Sequence, residues 1–419
     1  MRKLLFLFWG LGMALALSAQ QIQPLTFNAC LRMAAEHSYL VQSEQSQVTV
    51  AQQRALLKNT QSIPKISGEL AGEGHFLGSY HFGQEWALVQ ADWSLGDFLK
   101  KTGWAARQDV LTRQFRMQQK QLEAMGNAAV LYVAILQTQK AGELIEARLK
   151  LMQKHKLLAE SMWKAGLRTQ LDVLQTETQI TQLQEDSIRL RMNEINLRRT
   201  LARRLGFRNG DSLRLISFSS GSFRKIYLPE TGRQDIHGNL KIRILQSEIA
   251  AWKLRTDAVQ AKRFPHVMLG GGWFADGDPK GDGNYWLING GIRIPIYEGK
   301  AVKRQESAFL AQKESLDYQL QNVQRETLIK TNRLLEKMKQ LRHMIQIQQT
   351  RINTLKESSQ FAEVNFKAGL ITNLEYLDIQ QKLTDARLKL EQSRLGFAMN
   401  LIDYYVITNQ TERLARLGK

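Results

Sequence analysis

The segment D-G-D-P-K-G-D-G from Asp276 to Gly283 gathers the densest set of oxygen ligands in the chain. Acids at its first and third positions open a calcium loop of the EF-hand kind. Lys280 then occupies the fifth position and Leu287 stands where the bidentate glutamate belongs, so the pattern fails and the segment reads as an exposed turn-rich loop. The run Leu269–Trp273, L-G-G-G-W, is no phosphate cradle: its glycines lie within a strand pattern and no helix follows them. The histidines (His37, His75, His81, His155, His237, His266, His343) show no ligand spacing, and no nucleophile stands near a base. Neither a metal, a cofactor nor catalysis is expected. Three acids, Asp172, Glu375 and Asp378, fall where helices begin. Thr372-x-x-Glu375 is a capping box, and acids in a first turn suit the helix macrodipole.

Cys30 is the sole cysteine, which excludes an intrachain disulfide, and it sits inside the helical phrase FNACLRMAAEHSYL as a buried residue rather than a lipid anchor. The chain opens MRKLLFLFWGLGMALALSAQ: a basic start at Arg2 and Lys3, an apolar run, then small residues. That is a secretory signal cut after Ala19, shorter than a membrane span. No later stretch approaches ~18 consecutive apolar residues, which argues against a helical membrane protein. The formal net charge is +19. Its lysines and arginines are spread among Gln and Glu along helices with no aromatic-basic cluster, which points to solvated or lumen-lining faces and not to nucleic acid.

What positions the few candidate residues is a duplication. WKAGLRTQLDVLQTE from Trp163 and FKAGLITNLEYLDIQ from Phe366 match at an offset of 203 residues, pairing Lys164 with Lys367, Gly166 with Gly369 and Leu167 with Leu370. That period is too long for a solenoid, whose units run ~20–50 residues. Each half begins with a helical phrase that stops at a proline, Pro64 or Pro265. The period then changes from 3.6 to 2. Ile66, Gly68, Leu70, Gly72, Gly74 and Phe76 alternate with more polar neighbours. Trp286, Ile288, Gly290, Ile292 and Ile294 do so in the second half. Each half thus supplies one hairpin whose strands match the ~9–11 residues of a tilted membrane crossing, with Trp86, Trp93, Trp273 and Trp286 as interface aromatics.

A helix of roughly 65 residues, near 100 Å long, follows each hairpin. Its seam in the second half reads Leu334, Met338, Leu341, Ile345, Gln348, Ile352, Leu355 in steps of four and three. The KAGL phrase then reverses the chain into a second helix, with Gly166 and Gly369 free to turn left-handed. The expected organisation is a signal at 1–19 and a first repeat at 20–206 (hairpin 64–96, long helix 97–161, inner helix 169–205). A connecting region at 207–237 leads to a second repeat at 238–408 (hairpin 265–297, long helix 299–362, inner helix 372–408) and a tail at 409–419. Four strands cannot close a membrane barrel, so several copies must contribute.

The export signal and the duplicated helix–hairpin–long helix–KAGL–helix unit resemble the TolC-like outer-membrane efflux proteins along essentially the whole mature chain. The resemblance implies a mainly α fold with membrane β hairpins. Three chains would form a 12-stranded β-barrel on a 12-helix periplasmic tunnel. It implies a non-enzymatic exit duct in the bacterial outer membrane, serving tripartite efflux or type I secretion. Its partners would be a periplasmic adaptor (membrane fusion protein), an inner-membrane RND or ABC transporter and outer-membrane lipid. The elbows Lys164, Gly166, Leu167, Lys367, Gly369 and Leu370 would dock the adaptor. Asp172, Glu375 and Asp378 would ring the periplasmic aperture. At the closing clasp Phe366, Leu171 and Ile371 replace the family's Tyr, Thr and Arg, with only Asp172 kept, so an apolar contact is expected there. The rival readings are an exported coiled-coil scaffold or adhesin bearing β hairpins, and a basic periplasmic binding module.

Overall fold

The computed structural model describes residues 24–100, 103–207, 213–216, 236–277 and 283–418. The signal segment, most of the connecting region and the centre of the Asp276–Gly283 loop lie outside the described residues.

Two helices open the chain, α1 (Phe27–His37) and α2 (Tyr39–Thr60). The initial helical phrase is therefore broken at Ser38, which is extended at φ −70° and ψ 118°. Thr26 caps α1 by accepting from the Ala29 amide. The hairpin β1 (Lys65–Leu77) and β2 (Tyr80–Ser94) follows, then the short α3 (Leu95–Leu99), the long α4 (Gly103–Lys164) and α5 (Gln170–Arg204). The second half repeats the order: α6 (Leu240–Val259), β3 (His266–Asp276), β4 (Tyr285–Arg293), α7 (Ala301–Lys367) and α8 (Asn373–Ile407), with α9 (Thr411–Arg416) at the end. The long helices have 62 and 67 residues, about 93 and 100 Å at 1.5 Å per residue.

The elements lie side by side as a wall one layer thick. In the lower part α4 packs on α5 and on α8, and α8 packs on α7; in the upper part α4 packs on α2 and α6, and α6 on α7. The order is therefore α5–α4–α8–α7 below and α2–α4–α6–α7 above. It continues into one antiparallel sheet of order β1-β2-β3-β4. On α7 the seam residues Leu334, Met338 and Ile352 are buried, and Ile352 packs on Leu383, Ala386 and Leu390 of α8. The flanks of α5 and α7 instead leave apolar side chains exposed, among them Ile188, Met192, Ile347 and Phe361.

The largest core lies where the repeats meet. Phe27, Cys30 and Leu31 of α1, Tyr132 and Ile135 of α4, Leu201 of α5 and Leu401 and Tyr405 of α8 converge there. Burial pushes the Cys30 thiol up to about 12, so it stays protonated and inert. Asn239 caps α6 by accepting from the Lys241 and Ile242 amides while its Nδ2 donates to the Ile407 carbonyl, tying the start of the second repeat to its end. Gly126 permits the close crossing of α4 and α8, since a Cβ there would meet Val406 Cγ2 at 2.6 Å.

Tyr132 is fully buried, and its hydroxyl donates to the carbonyls of Leu25 (2.9 Å) and Ile216 (2.7 Å), two segments joined by the isolated parallel bridge Leu25–Leu215. Tyr132→Phe would leave those carbonyls without this donor in a dry core. It is expected to lower stability by about 1–3 kcal/mol in denaturant titration of the solubilised protein.

Candidate functional site

Both KAGL phrases close their long helices in the same way. Gly166 (φ 74°) and Gly369 (φ 75°) take the left-handed conformation. The Leu167 amide donates to the Met162 carbonyl and Gly166 to Trp163. Leu370 donates to Asn365 and Gly369 to Phe366. This pair of bonds satisfies the last carbonyls of each helix. The reversal places Leu167 and Leu370 at the extreme tips, 69% and 74% exposed, where an apolar side chain contributes nothing to the chain's own core. Lys164 is exposed beside them, and Lys367 pairs with Glu363 at 2.7 Å.

The next residues start the inner helices with capping boxes. The Asp172 carboxylate accepts from the Thr169 amide and hydroxyl, both at 3.1 Å. Glu375 accepts from the Thr372 amide at 2.7 Å and its hydroxyl at 2.9 Å. The Thr372 backbone bond, then its hydroxyl, holds the Glu375 carboxyl below its ordinary value. Asp378, one turn on, pairs with Lys382 at 2.5 Å. Glu375 and Asp378 are both exposed and Asp172 is half-buried.

Of the three residues expected at the clasp, Phe366 is buried, Ile371 half-buried and Leu171 exposed. Phe366 and Ile371 join an apolar cluster with Met152, Met162, Tyr376 and Leu377, and polar groups that the sequence did not single out add bonds across the two tips. Arg168 Nη2 donates to the carbonyls of Phe366 (3.2 Å) and Ile371 (2.8 Å) while its guanidinium lies over the Phe366 ring at 4.6 Å. Asn373 Nδ2 donates to the Asp172 carbonyl at 2.9 Å, with Gln175 Oε1 and Thr176 Oγ1 also in reach. That orientation leaves Asn373 Oδ1 as acceptor, and His155 Nε2 donates to it at 2.8 Å. His155 is stacked on Tyr376, with ring centroids 4.1 Å apart, and borders Phe366 at 4.7 Å. The signal for these residues lay in the repeat itself. Arg168 stands opposite Ile371, Gln170 opposite Asn373 and His155 opposite Ser358, so the joint uses positions where the copies diverge.

At the far end the sheet has two unlike faces. Cross-strand partners share a face, so the register lines up Ile66–Ala91–Leu269–Gly290, Gly68–Val89–Gly271–Ile288 and Leu70–Ala87–Trp273–Trp286. This face is open and, apart from Glu85 and His81 towards its distal end, apolar: Leu70 is 85% exposed, Ile288 90% and Trp286 79%. Trp93 shares it about 20 Å along β3 from the Trp273–Trp286 pair, measured from its partner Val267. The opposite face carries Lys65, Ser67, Glu69, Glu73, Gln84, Gln90, Asn289 and Arg293. Trp86 lies on this polar face, against the expectation that it belongs with the other three tryptophans: it pairs with Phe274, and its indole donates to Glu69 Oε1 at 3.4 Å. Among the described residues no group of three or more His, Cys, Asp or Glu could hold a metal ion, and no helix is long and apolar enough to cross a membrane.

Burial lowers the His155 pKa from 6.5, although the Asn373 bond and the charges of Glu363 and Asp172 oppose the shift. The folded tip thus favours neutral imidazole. Its contribution is complete above about pH 6.5 and is lost as pH falls below that value, because the unfolded chain takes up the proton first. Amide exchange in the first turns of α5 and α8 is expected to accelerate between pH 7 and 5 beyond the intrinsic rate change. His155→Phe keeps the ring packing and should remove that acceleration.

Residues 236–403 match the family model described as outer membrane efflux protein. No curated protein matches the sequence. Among solved structures, CusC, described through its folding and transmembrane channel formation, superposes with a TM-score of 0.79 at 16% identity, covering 91% of this chain and 92% of that one. A membrane protein from Pseudomonas aeruginosa gives 0.78 at 15% identity, over 91% and 90%. The CmeC outer membrane channel of Campylobacter jejuni gives 0.74 at 12%, over 93% and 89%. Residues 236–403 thus resemble outer membrane efflux protein domains, and the chain has the fold of these solved outer-membrane channels.

Proposed function

We propose that the protein is the outer-membrane channel of a tripartite efflux system, closed by three copies of the chain. The observation that carries this reading is the four-stranded sheet with a largely apolar, solvent-open face, a more polar opposite face and two unpaired edges, β1 and β4. In lipid the apolar face is solvated by acyl chains, but free edges leave peptide groups without partners. Joining β4 of one copy to β1 of the next removes them. Three copies give a 12-stranded barrel lined by the polar face, wide enough for solutes. The same closure brings the exposed flanks of α5 and α7 together and extends the wall into a helical tunnel. Solutes delivered by an inner-membrane RND or ABC transporter through a periplasmic adaptor would leave by this duct; export of polypeptides by a type I system would use the same path.

Glu375 and Asp378, six carboxylates in a trimer, would ring the narrow periplasmic end, with Asp172 beside them. A ring of that sign within low-dielectric walls favours cations. In planar bilayers the full chain is expected to conduct as a trimer, with a multivalent cation on the periplasmic side reducing the current. Glu375→Gln with Asp378→Asn should relieve the block at least severalfold. Absence of any conductance would overturn the channel reading.

The elbows are proposed as the adaptor contact, since Leu167 and Leu370 sit exposed at the tips on well-capped, preformed turns. Leu167→Asp with Leu370→Asp should weaken adaptor capture while leaving trimer mass and membrane insertion unchanged. Undiminished capture would move the contact elsewhere.

A further inference from the structure

On the polar face of the sheet one register row differs in kind from its neighbours. Trp86 of β2, Phe274 of β3 and Tyr285 of β4 are successive cross-strand partners. Their rings form a stack, Trp86 to Phe274 at 6.3 Å with 24° between planes, and Phe274 to Tyr285 at 5.4 Å with 8°. Leu88 and Leu287 flank the row on one side and Gln84 and Asp276 on the other, so three adjacent aromatics here make an apolar platform that a water-filled lining does not need. Tyr285, at the end of the stack, is 45% exposed.

The charges around the row have one sign. Glu69 of β1 accepts from the Trp86 indole, and Glu73 lies four residues further along the same face. Asp276 lies on that face two residues beyond Phe274. His75 stands 2.9 Å from Glu73. The cations Lys65 and Arg293, with His266, sit at the opposite, helix-proximal end of the strands. An aromatic face presents negative π density, and flanking carboxylates add to it. An organic cation with a flat apolar body is the solute that such a surface holds best.

We infer that the Trp86–Phe274–Tyr285 row, with Glu69, is a binding site for aromatic organic cations on the barrel lumen, three sites per trimer. The inference rests on the channel reading for its placement in a lumen. The row lies about 20 Å along β1 from Lys65, so departing solutes meet it in the outer part of the barrel.

The test uses the full chain in planar bilayers with benzyltrimethylammonium as probe. The cation should reduce open-channel current saturably, whereas benzyl alcohol and tetramethylammonium should not, because each carries only half of the recognised chemistry. Trp86→Leu with Phe274→Leu is expected to raise the half-blocking concentration about tenfold. Tyr285→Leu, at the exposed end of the stack, and Glu69→Gln should each raise it severalfold with the trimer mass unchanged. Equal block in wild type and variants, or block by benzyl alcohol as strong as by the cation, would overturn the proposal. A chain that does not conduct at all would refute the channel instead. Calorimetric titration of the probe into nanodisc-embedded protein would then decide the row by itself, with saturable binding lost in the double variant supporting it and no binding overturning it.

Discussion

A peptide group in hydrocarbon has no water to bond, and each N–H or C=O left unpaired there costs on the order of several kcal/mol. The sheet of this chain meets that constraint along its two inner strands and fails it along β1 and β4. No change of side chain repairs an edge; only another strand does. The helical part obeys a softer version of the same rule. Its wall ends in α5 and α7, whose outer flanks carry apolar residues that the chain itself leaves uncovered. Sheet and helices therefore run out on the same two sides. The proposed trimer would make the chain one segment of a closed ring and satisfy both edges at once.

The duplication explains why the segment is regular, and its imperfections explain how the two copies are joined. Gly166 and Gly369, with their capping threonines, are common to both halves because each long helix must end and reverse in the same manner. The joint between the tips cannot be symmetric within one chain, because α8 lies between α4 and α7 whereas α5 lies at the edge. Arg168, Asn373 and His155 accordingly bond across from one copy to the other, and each faces a different residue type at the equivalent place.

Much of this was legible in the sequence, and the reasons are local. Prolines stop helices, period-2 alternation marks strands, and a Gly after a heptad seam marks a reversal; Pro64, Ile66–Phe76 and Gly369 carry those signals without reference to tertiary structure. The break at Ser38 carries no such mark, since neither Gly nor Pro stands there. By residue type alone Trp86 belongs with the three other tryptophans. Its face depends on the register with β3, which alternation within β2 does not reveal, because that strand mixes polar and apolar residues on both sides. The tip contacts leave no periodic trace, being polar bonds over some 200 residues of separation, and only the divergence of the two copies at Arg168, Asn373 and His155 marks their places.

The acids at the inner-helix starts show how a structural and an electrostatic role can reinforce each other. A carboxylate that accepts bonds from the Thr372 amide and hydroxyl is stabilised in its charged form, which is why Glu375 titrates below its ordinary value. A ring of acids crowded round an opening faces the opposite pressure, since like charges raise one another's pKa and would neutralise part of the ring. The capping box works against that loss. It fixes the carboxylate in one orientation and keeps it ionised. Glu375 is thereby also suited to hold charge at the proposed aperture, with no separate device to maintain it.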